Sequence, residues 1–421
     1  ESLQRSGESL EGVNYVAYQS PAWIWEQWAG LGAGLMFQML VHFCEKPETV
    51  IKDIREISPY FLMLGPRQWE NFSSTVQAKI KDTTRWKRIL YDWGMGAGYK
   101  YSSLLQEKKS LSYTNKVEYR LADLLVLRAI RDSLGIARAR FLLTGSASMS
   151  PDVFRFFHAM GAHIRSQYGL TECNIVCLTK RDDFNFDTVG AIFPESDVKI
   201  SDEGEILVRG EQVFKGYHKD PETTAERIDR EGWFHTGDAG NIDESGRLIF
   251  WDRLDELTEL AGGVKFSPQY VETRLRFSPY IEDAYAIGDK ERGYVTVIIS
   301  IDFNNVTKWL EDRNIPYTTF VDLSQRPEVC ELIKDEVRKI NQNLTDHSKI
   351  KKFVNLHKSF DADEGELTRT RKLKRAPLAR RYSGIIEAIY TDHKSYQIDT
   401  TVTYRDGRTG TISADLTINK V

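Results

Sequence analysis

The 421-residue chain has only four cysteines, Cys44, Cys173, Cys177 and Cys330, with no CxxC pair and no accompanying His spacing. That scarcity argues against a structural zinc and a disulfide framework. It suits a reducing compartment, so a cytoplasmic location is expected. Long apolar runs are missing too: the most apolar stretch, Trp28 to Phe43, has sixteen residues including Gln38 and His42, short of the roughly 20 a spanning helix needs. It is expected as a buried helix. Charge of one sign is absent, with 57 Lys and Arg against 61 Asp and Glu and a net of −4, so no nucleic-acid partner and no disordered acidic tail are expected. The opening residues ESLQRSGESLEG lack Met, a basic region and an apolar core, so no signal peptide is expected and the chain reads as a fragment. No long internal repeat or low-complexity segment occurs.

A hydrophobic content of 41% over 421 residues implies two or more domains. From Trp23 to about Leu143 the pattern is α/β. A helix ends near Lys46, a second covers Pro47 to Ile57, and Phe61 to Leu64 is a short apolar run. An amphipathic stretch follows, with Leu121, Leu124, Leu125, Ala129 and Leu134 at helical spacing, while Gly94 to Lys100 lies in a Trp/Tyr-rich segment that looks helical. Phe141 to Leu143 reads as a buried strand running into Gly145-Ser146-Ala147-Ser148, with Pro151 opening a helix. Strand, tight turn, helix is where α/β folds place ligands. Between about Val189 and Trp251 the period becomes two, with a hairpin over Val198 to Val208 turning at Asp202-Glu203-Gly204. An α+β module follows: an amphipathic segment from Pro268 to Phe277, a β-branched run from Val295 to Ile299, and a helix opened by Pro327 with Val329, Ile333, Val337 and Ile340 on one face. Tyr396 to Ile418 alternates and turns at Asp406-Gly407.

The segment Ser166 to Glu172, SQYGLTE, crowds unlike polar groups together. Tyr offers a ring for stacking on a base, Gly lets backbone approach a ligand, Thr can donate to phosphate, and Glu can hold Mg²⁺. Alone it also reads as an ordinary loop with a turn glycine. Downstream come Gly232-Trp233-Phe234-His235-Thr236-Gly237-Asp238, then Asp252-Arg253-Leu254-Asp255-Glu256, then Glu366-Leu367-Thr368-Arg369-Thr370-Arg371-Lys372. In order and spacing these four motifs resemble the adenylate-forming superfamily of acyl-CoA synthetases, luciferases and peptide-synthetase adenylation domains. Glu45 to Thr49, Gly65-Pro66-Arg67 and the ELTRTRK ending look like long-chain fatty acyl-CoA synthetases, and the resemblance covers essentially the whole chain.

The resemblance implies an α/β fold: the later part of a large adenylate-forming domain with a β-barrel-like subdomain over residues 1–254, a small mobile α+β domain over 255–390, and a C-terminal hairpin extension over 391–421. It implies that a fatty carboxylate attacks the α-phosphate of ATP, and that CoA then displaces AMP. Gly145, Ser146 and Ala147 would lie beside adenine, with Gln167, Tyr168 and Gly169 completing the pocket. Thr171 would bond phosphate and Glu172 would coordinate Mg²⁺. Asp238 would take the ribose hydroxyls, assisted by Arg253; as a lone residue it also reads as a turn acid. Lys372, in a run with seven Lys or Arg among thirteen positions from Arg369 to Arg381, would reach the carboxylate and α-phosphate. Lys374 is the alternative in another register, and a solvated face the plainer reading. The other arginines would meet CoA phosphates or an anionic membrane. Asp255 would be the hinge, and Gly262-Gly263 either lines the pantetheine passage or is a turn.

Two departures stand out. Where relatives carry a His after Pro-Leu, this chain has Ser20-Pro21-Ala22-Trp23, so no His role carries over; Trp23 is the residue left to wall the acyl pocket. No Ser/Thr/Gly-rich phosphate loop ending in Lys occurs; in the family it lies upstream of the position of Glu1. Impaired catalysis is therefore expected of this chain, and a ligase serving a carrier protein and a catalytically silent adenylate-binding scaffold stand as alternatives. Peripheral membrane contact is left open. Chain length, oligomeric state and acceptor are not read from the sequence.

Overall fold

The computed structural model describes residues 10–421 except 22, 182, 369–371, 392 and 404–408, and the side chains of Pro47 and of 400–412 are likewise left undescribed. The chain divides into two compact units, Glu1–Asp255 and Glu256–Val421.

The first unit is built on one 11-stranded sheet in the order β2-β1-β3-β4-β5-β6-β7-β11-β10-β9-β8. Its strands are β1 Asn14–Ala17, β2 Leu40–Phe43, β3 Phe61–Met63, β4 Phe141–Thr144, β5 Ile164–Leu170, β6 Asn174–Leu178, β7 Gly190–Ile192, β8 Asp197–Ile200, β9 Glu205–Arg209, β10 Phe234–Ile242 and β11 Arg247–Arg253. Pairing is parallel from β2 to β5 and antiparallel from β5 onward. The change matches the sequence. The parallel strands β3 and β4 are buried along their whole length, as a sheet covered on both faces requires, whereas β8 alternates between exposed and half-buried. Helices Pro66–Lys81, Arg85–Gln106 and Pro151–Ala159 belong to this unit. Ser150 caps the last by accepting from the Asp152 N–H, and Pro151 stands at its first turn. Trp69 is fully buried, its indole N–H donating to the Leu143 carbonyl at 3.2 Å, which ties helix Pro66–Lys81 to β4.

The helix expected over Trp28 to Phe43 differs from what forms. Helical structure runs from Ile24 through a π-helical stretch, Gln27–Ala33, to Met36 and stops; Gln38 sits at φ 51, and Leu40–Phe43 becomes the edge strand β2. Nor is the segment buried throughout: Ala29, Ala33 and Met39 enter the core, but Leu31, Leu35, Met36, Leu40 and Phe43 are all exposed. The second expected helix forms as Pro47–Thr49 and Val50–Ile57. The stretch through Leu121 to Leu134 is helical, but Leu121, Leu124 and Leu125 face solvent while Val126, Leu127 and Leu134 are buried. Periodicity identified the helix and not its inner face.

In the second unit a short hairpin, β12 Thr258–Glu259 with β13 Lys265–Phe266, precedes a five-stranded sheet in the order β14-β15-β16-β18-β17. The strands are β14 Ile281–Ile287, β15 Val295–Ile301, β16 Ile350–Asn355, β17 Ser395–Thr403 and β18 Thr409–Lys420. One apolar cluster packs Val329, Ile333, Val337 and Ile340 of helix Pro327–Asn341 against Val297 and Ile299; another packs Ile385 and Ile389 of helix Ser383–Tyr390 against Ile298 and Val354. Alternate residues of β15 thus feed cores on opposite faces. The terminal hairpin pairs through β18 with β16 and so belongs to this sheet, while its expected turn, Asp406-Gly407, lies outside the described residues.

Candidate functional site

The parallel register of β4 and β5 sets Thr144 opposite Ser166, which brings the residues after each together at the carboxyl ends of the strands. Gly145 is buried, and a Cβ there would lie 2.9 Å from the Gln167 Cγ, so glycine is what lets these segments meet. Ser146 takes φ +70, a left-handed conformation uncommon for a residue with a side chain and found disproportionately at ligand-binding turns. The Gln167 amide reaches back to the Met63 sulfur of β3 at 3.6 Å. Gly145, Ser146, Ala147, Gln167 and Tyr168 therefore share one rim of the sheet, the position where open α/β sheets receive ligands.

From that rim the Tyr168 hydroxyl donates to Asp238 Oδ2 at 2.8 Å, and Arg253 Nη1 donates to Asp238 Oδ1 at 2.7 Å. Asp238 on β10 and Arg253 on β11 are register partners, so the ion pair follows from the ladder itself. Burial pushes the Asp238 carboxyl above the ordinary aspartate value, against the opposing pull of Tyr168 and Arg253. Burial, with the Asp238 charge beside it, drives the Tyr168 phenol far upward, so it remains a proton donor. A residue not foreseen from sequence holds the turn: Glu205 accepts from the Gly237 N–H at 2.7 Å and lies 2.9 Å from His235 Nδ1. Thr236 completes the turn, donating to the Ile206 carbonyl and accepting from the Asp238 N–H.

The SQYGLTE string is mostly strand rather than loop, with Thr171 and Glu172 in the tight turn from β5 to β6. Gly169 has a packing reason of its own, because a Cβ there would fall on the Asn174 carbonyl across the hairpin. Glu172 accepts from the Tyr217 hydroxyl at 2.9 Å, a partner that no sequence signal marked. Thr171 is exposed beside it. A recess adjoins the rim, lined by Trp25, Trp28, Leu143, Gln167, Leu178 and Phe193 among others. Trp23, expected as a wall, is not among its lining residues; Trp25 and Trp28 take that place.

In the second unit the described part of the Lys372 segment is a hairpin base. Leu367 bridges to Leu373, the Thr368 N–H donates to the Lys372 carbonyl at 2.8 Å, and the Lys372 N–H donates to Thr368 Oγ1 at 3.0 Å. Lys372 is exposed, as is Lys374. Beneath them Glu366 is buried and accepts from Lys358 Nζ at 3.1 Å, the Asp361 N–H at 2.9 Å and the Tyr382 hydroxyl at 2.5 Å. Gly262 and Gly263 take φ +97 and +82 with nothing within 4 Å of an added Cβ, so a turn conformation accounts for both glycines. Asp255 is exposed, in a single 3₁₀ turn spanning Leu254–Glu256.

Residues 4–218 match the AMP-binding enzyme family, and residues 255–394 match the AMP-binding enzyme C-terminal domain. The putative fatty-acid–CoA ligase fadD11 of Mycobacterium tuberculosis is 32% identical over 390 residues, covering 92% of this chain and 68% of that protein. The long-chain-fatty-acid–CoA ligase ACSBG1 of Homo sapiens is 28% identical over 400 residues, covering 89% of this chain and 54% of that protein. The chain thus spans from about half to two thirds of the length of these relatives. Among solved structures, the A domain of carboxylic acid reductase from Segniliparus rugosus, in complex with AMP and a co-purified carboxylic acid, aligns with a TM-score of 0.64 at 19% identity, covering 91% of this chain and 57% of that one. The likeness establishes an adenylate-forming fold. With matches to both successive domains and a relative 32% identical along 68% of its own length, the chain belongs to the AMP-binding enzyme family.

Proposed function

We propose that this chain handles a long-chain fatty acid as its acyl-adenylate and passes the acyl group to CoA. The observation that carries the reading is the Tyr168–Asp238–Arg253 cluster, two hydrogen bonds of 2.8 and 2.7 Å, on the sheet that also carries the Gly145–Gln167 rim and its recess. A carboxylate fixed by two donors suits a pair of vicinal hydroxyls, as on ribose. Small residues at Gly145, Ser146 and Ala147 suit a flat base, Gln167 and Tyr168 bound it, and Gly169 shapes the hairpin beneath. The recess, with Trp25, Trp28 and Phe193 in its wall, suits an alkyl chain. The names of the curated relatives support the same substrate class.

Thr171 is assigned to phosphate and Glu172 to Mg²⁺. The fit is chemical: Glu172 is a half-exposed carboxylate at a turn, a hard oxygen donor of the kind Mg²⁺ takes, and Tyr217 orients one of its oxygens. When bound, the ion supplies charge neutralisation at phosphate. Lys372 is assigned to the α-phosphate and substrate carboxylate, Gly262-Gly263 to the thiol passage, and Asp255 to the hinge between half-reactions. An anionic nucleophile approaching a phosphate needs a positioned cation, and Lys372 supplies one.

These 421 residues contain no Ser/Thr/Gly-rich loop ending in Lys. Pyrophosphate exchange is accordingly expected to be weak, with adenylate and acyl-adenylate binding retained. The test is calorimetric titration of the chain with AMP and with a non-hydrolysable palmitoyl-adenylate analogue, followed by thioester formation from supplied palmitoyl-AMP and CoA. Binding of the analogue, lost in Asp238→Ala, is the expected result. No binding by the folded chain counts against the reading, and transfer to a carrier protein but not to CoA would replace the acceptor.

A further inference from the structure

Helix Arg85–Gln106 leaves its first turns uncovered: every residue from Thr84 to Leu90 is exposed. Trp86, Ile89, Leu90 and Trp93 recur at helical spacing on one stripe, exposed by 81%, 59%, 42% and 37%. Arg85 and Lys87 flank that stripe by one residue on either side of Trp86. The neighbouring helix Tyr113–Ala122 and its continuation add exposed Leu121, Leu124 and Leu125. The two helices are joined by stacked Tyr101 and Tyr119, 4.0 Å between centroids, and by Val126 packed on Gly94.

We propose that this helix pair is an anionic-lipid docking surface, lying in the headgroup layer with the Trp86–Trp93 stripe inserted. The charge pattern selects this occupant. Between Lys79 and Trp93 stand five Lys or Arg and two Asp, a local excess of cations in a chain whose net charge is −4. Tryptophan and leucine between cations is the pattern of interfacial helices: the rings enter the acyl boundary and the cations meet phosphate. No helix among the described residues is long and apolar enough to cross a membrane, which leaves surface attachment as the mode available to this helix. The other exposed apolar face, with Leu35, Met36, Leu40 and Phe43, has no Lys or Arg between Trp23 and Phe43 and lacks that complementarity. The proposal is independent of the nucleotide-site reading.

The experiment is cosedimentation of the full chain with phosphatidylcholine vesicles, with and without about one third phosphatidylglycerol, at low and high salt. Binding is expected only with phosphatidylglycerol, weakened by salt. It should fall at least about tenfold in Lys87→Glu/Arg88→Glu and in Trp86→Glu, and stay unchanged in Leu35→Glu. As a measurement that needs no disruptive substitution, brominated phospholipid should quench the tryptophan emission, less so in Trp86→Phe/Trp93→Phe. Equal binding by the charge-reversal variant, loss in Leu35→Glu, or no vesicle binding would overturn the proposal. A Trp86-dependent dimer by light scattering without lipid binding would assign the face to a second copy instead.

Discussion

The Tyr168 hydroxyl donates to the Asp238 carboxylate at 2.8 Å across 70 residues of sequence, while Arg253 holds the other oxygen at 2.7 Å. The carboxylate is thereby aimed before any ligand arrives. Under the proposed function, Tyr168→Phe keeps the ring but loses the aiming bond, and should weaken AMP binding about tenfold. It should also cost roughly 1 to 2 kcal/mol of stability, because a buried carboxylate loses a donor. Asp238→Ala should abolish measurable AMP binding. Calorimetry and denaturant unfolding of the same samples check both. A Tyr168→Phe protein with unchanged affinity would mean that the tyrosine serves packing alone.

How much of this was legible depends on how local each signal is. Pro151, Asp202-Glu203-Gly204 and the Val329–Ile340 stripe are short-range patterns, and helix, hairpin and helix formed where they stood. The Trp28–Phe43 reading failed because the break falls at Gln38, with φ 51, and glutamine carries no breaker signal. The exposed Leu121, Leu124 and Leu125 show that spacing tells which residues share a face and not what the face meets. In the site, the family motifs located Tyr168, Asp238 and Arg253, but their contacts come from strand register. Glu205 and Tyr217 were missed for the same reason, since each acts on a partner at least 30 residues away.

Glu366 accepts from Lys358, Tyr382 and the Asp361 N–H, and its own carbonyl accepts from the Lys374 N–H at 2.9 Å. It therefore pins both ends of the segment that carries Lys372. Glu366→Ala would leave Lys358 with Glu364 as its partner and the buried Tyr382 hydroxyl without this acceptor, and should destabilise the second unit by about 1 to 3 kcal/mol. Glu366→Gln, which keeps an acceptor, should cost less. Hydrogen exchange over residues 367–374 checks the local effect: protection should fall in both variants, and unchanged protection would remove the positioning role.

His158 lies buried with Nε2 2.9 Å from the Ile164 carbonyl, and burial pulls its pKa down to about 3. His357 in the second unit is pulled down to about 4, again chiefly by burial. Both folded values lie below the unfolded value of about 6.5. The stability they contribute is thus present above that pH and is lost as pH falls toward the folded values. Each should add a slope of up to about 1.4 kcal/mol per pH unit below pH 6. Urea midpoints from about pH 7 to about pH 5 should fall, and His158→Gln should flatten the slope for the first unit, His357→Gln for the second. Parallel curves for wild type and variants would show that other groups set the acid limit.

Asp255 is the last residue of the first unit, exposed, within the 3₁₀ turn Leu254–Glu256 that follows β11. If it is the pivot, its backbone torsion must change between half-reactions. Proline at this position fixes φ near −65° and also pushes the preceding Leu254 out of helical torsion, so one setting of the turn should be lost. The proposed AMP site draws on residues from Gly145 to Arg253, all before the turn. Asp255→Pro should therefore leave AMP affinity within about twofold of wild type and lower thioester formation from supplied acyl-AMP by more than about tenfold, since a conformational step is what it blocks. Asp255→Ala, which leaves φ free, should stay near wild type in both assays. If Asp255→Pro instead weakens AMP binding and transfer alike, with a lower melting temperature, the turn is a structural element of the first unit and the pivot lies elsewhere.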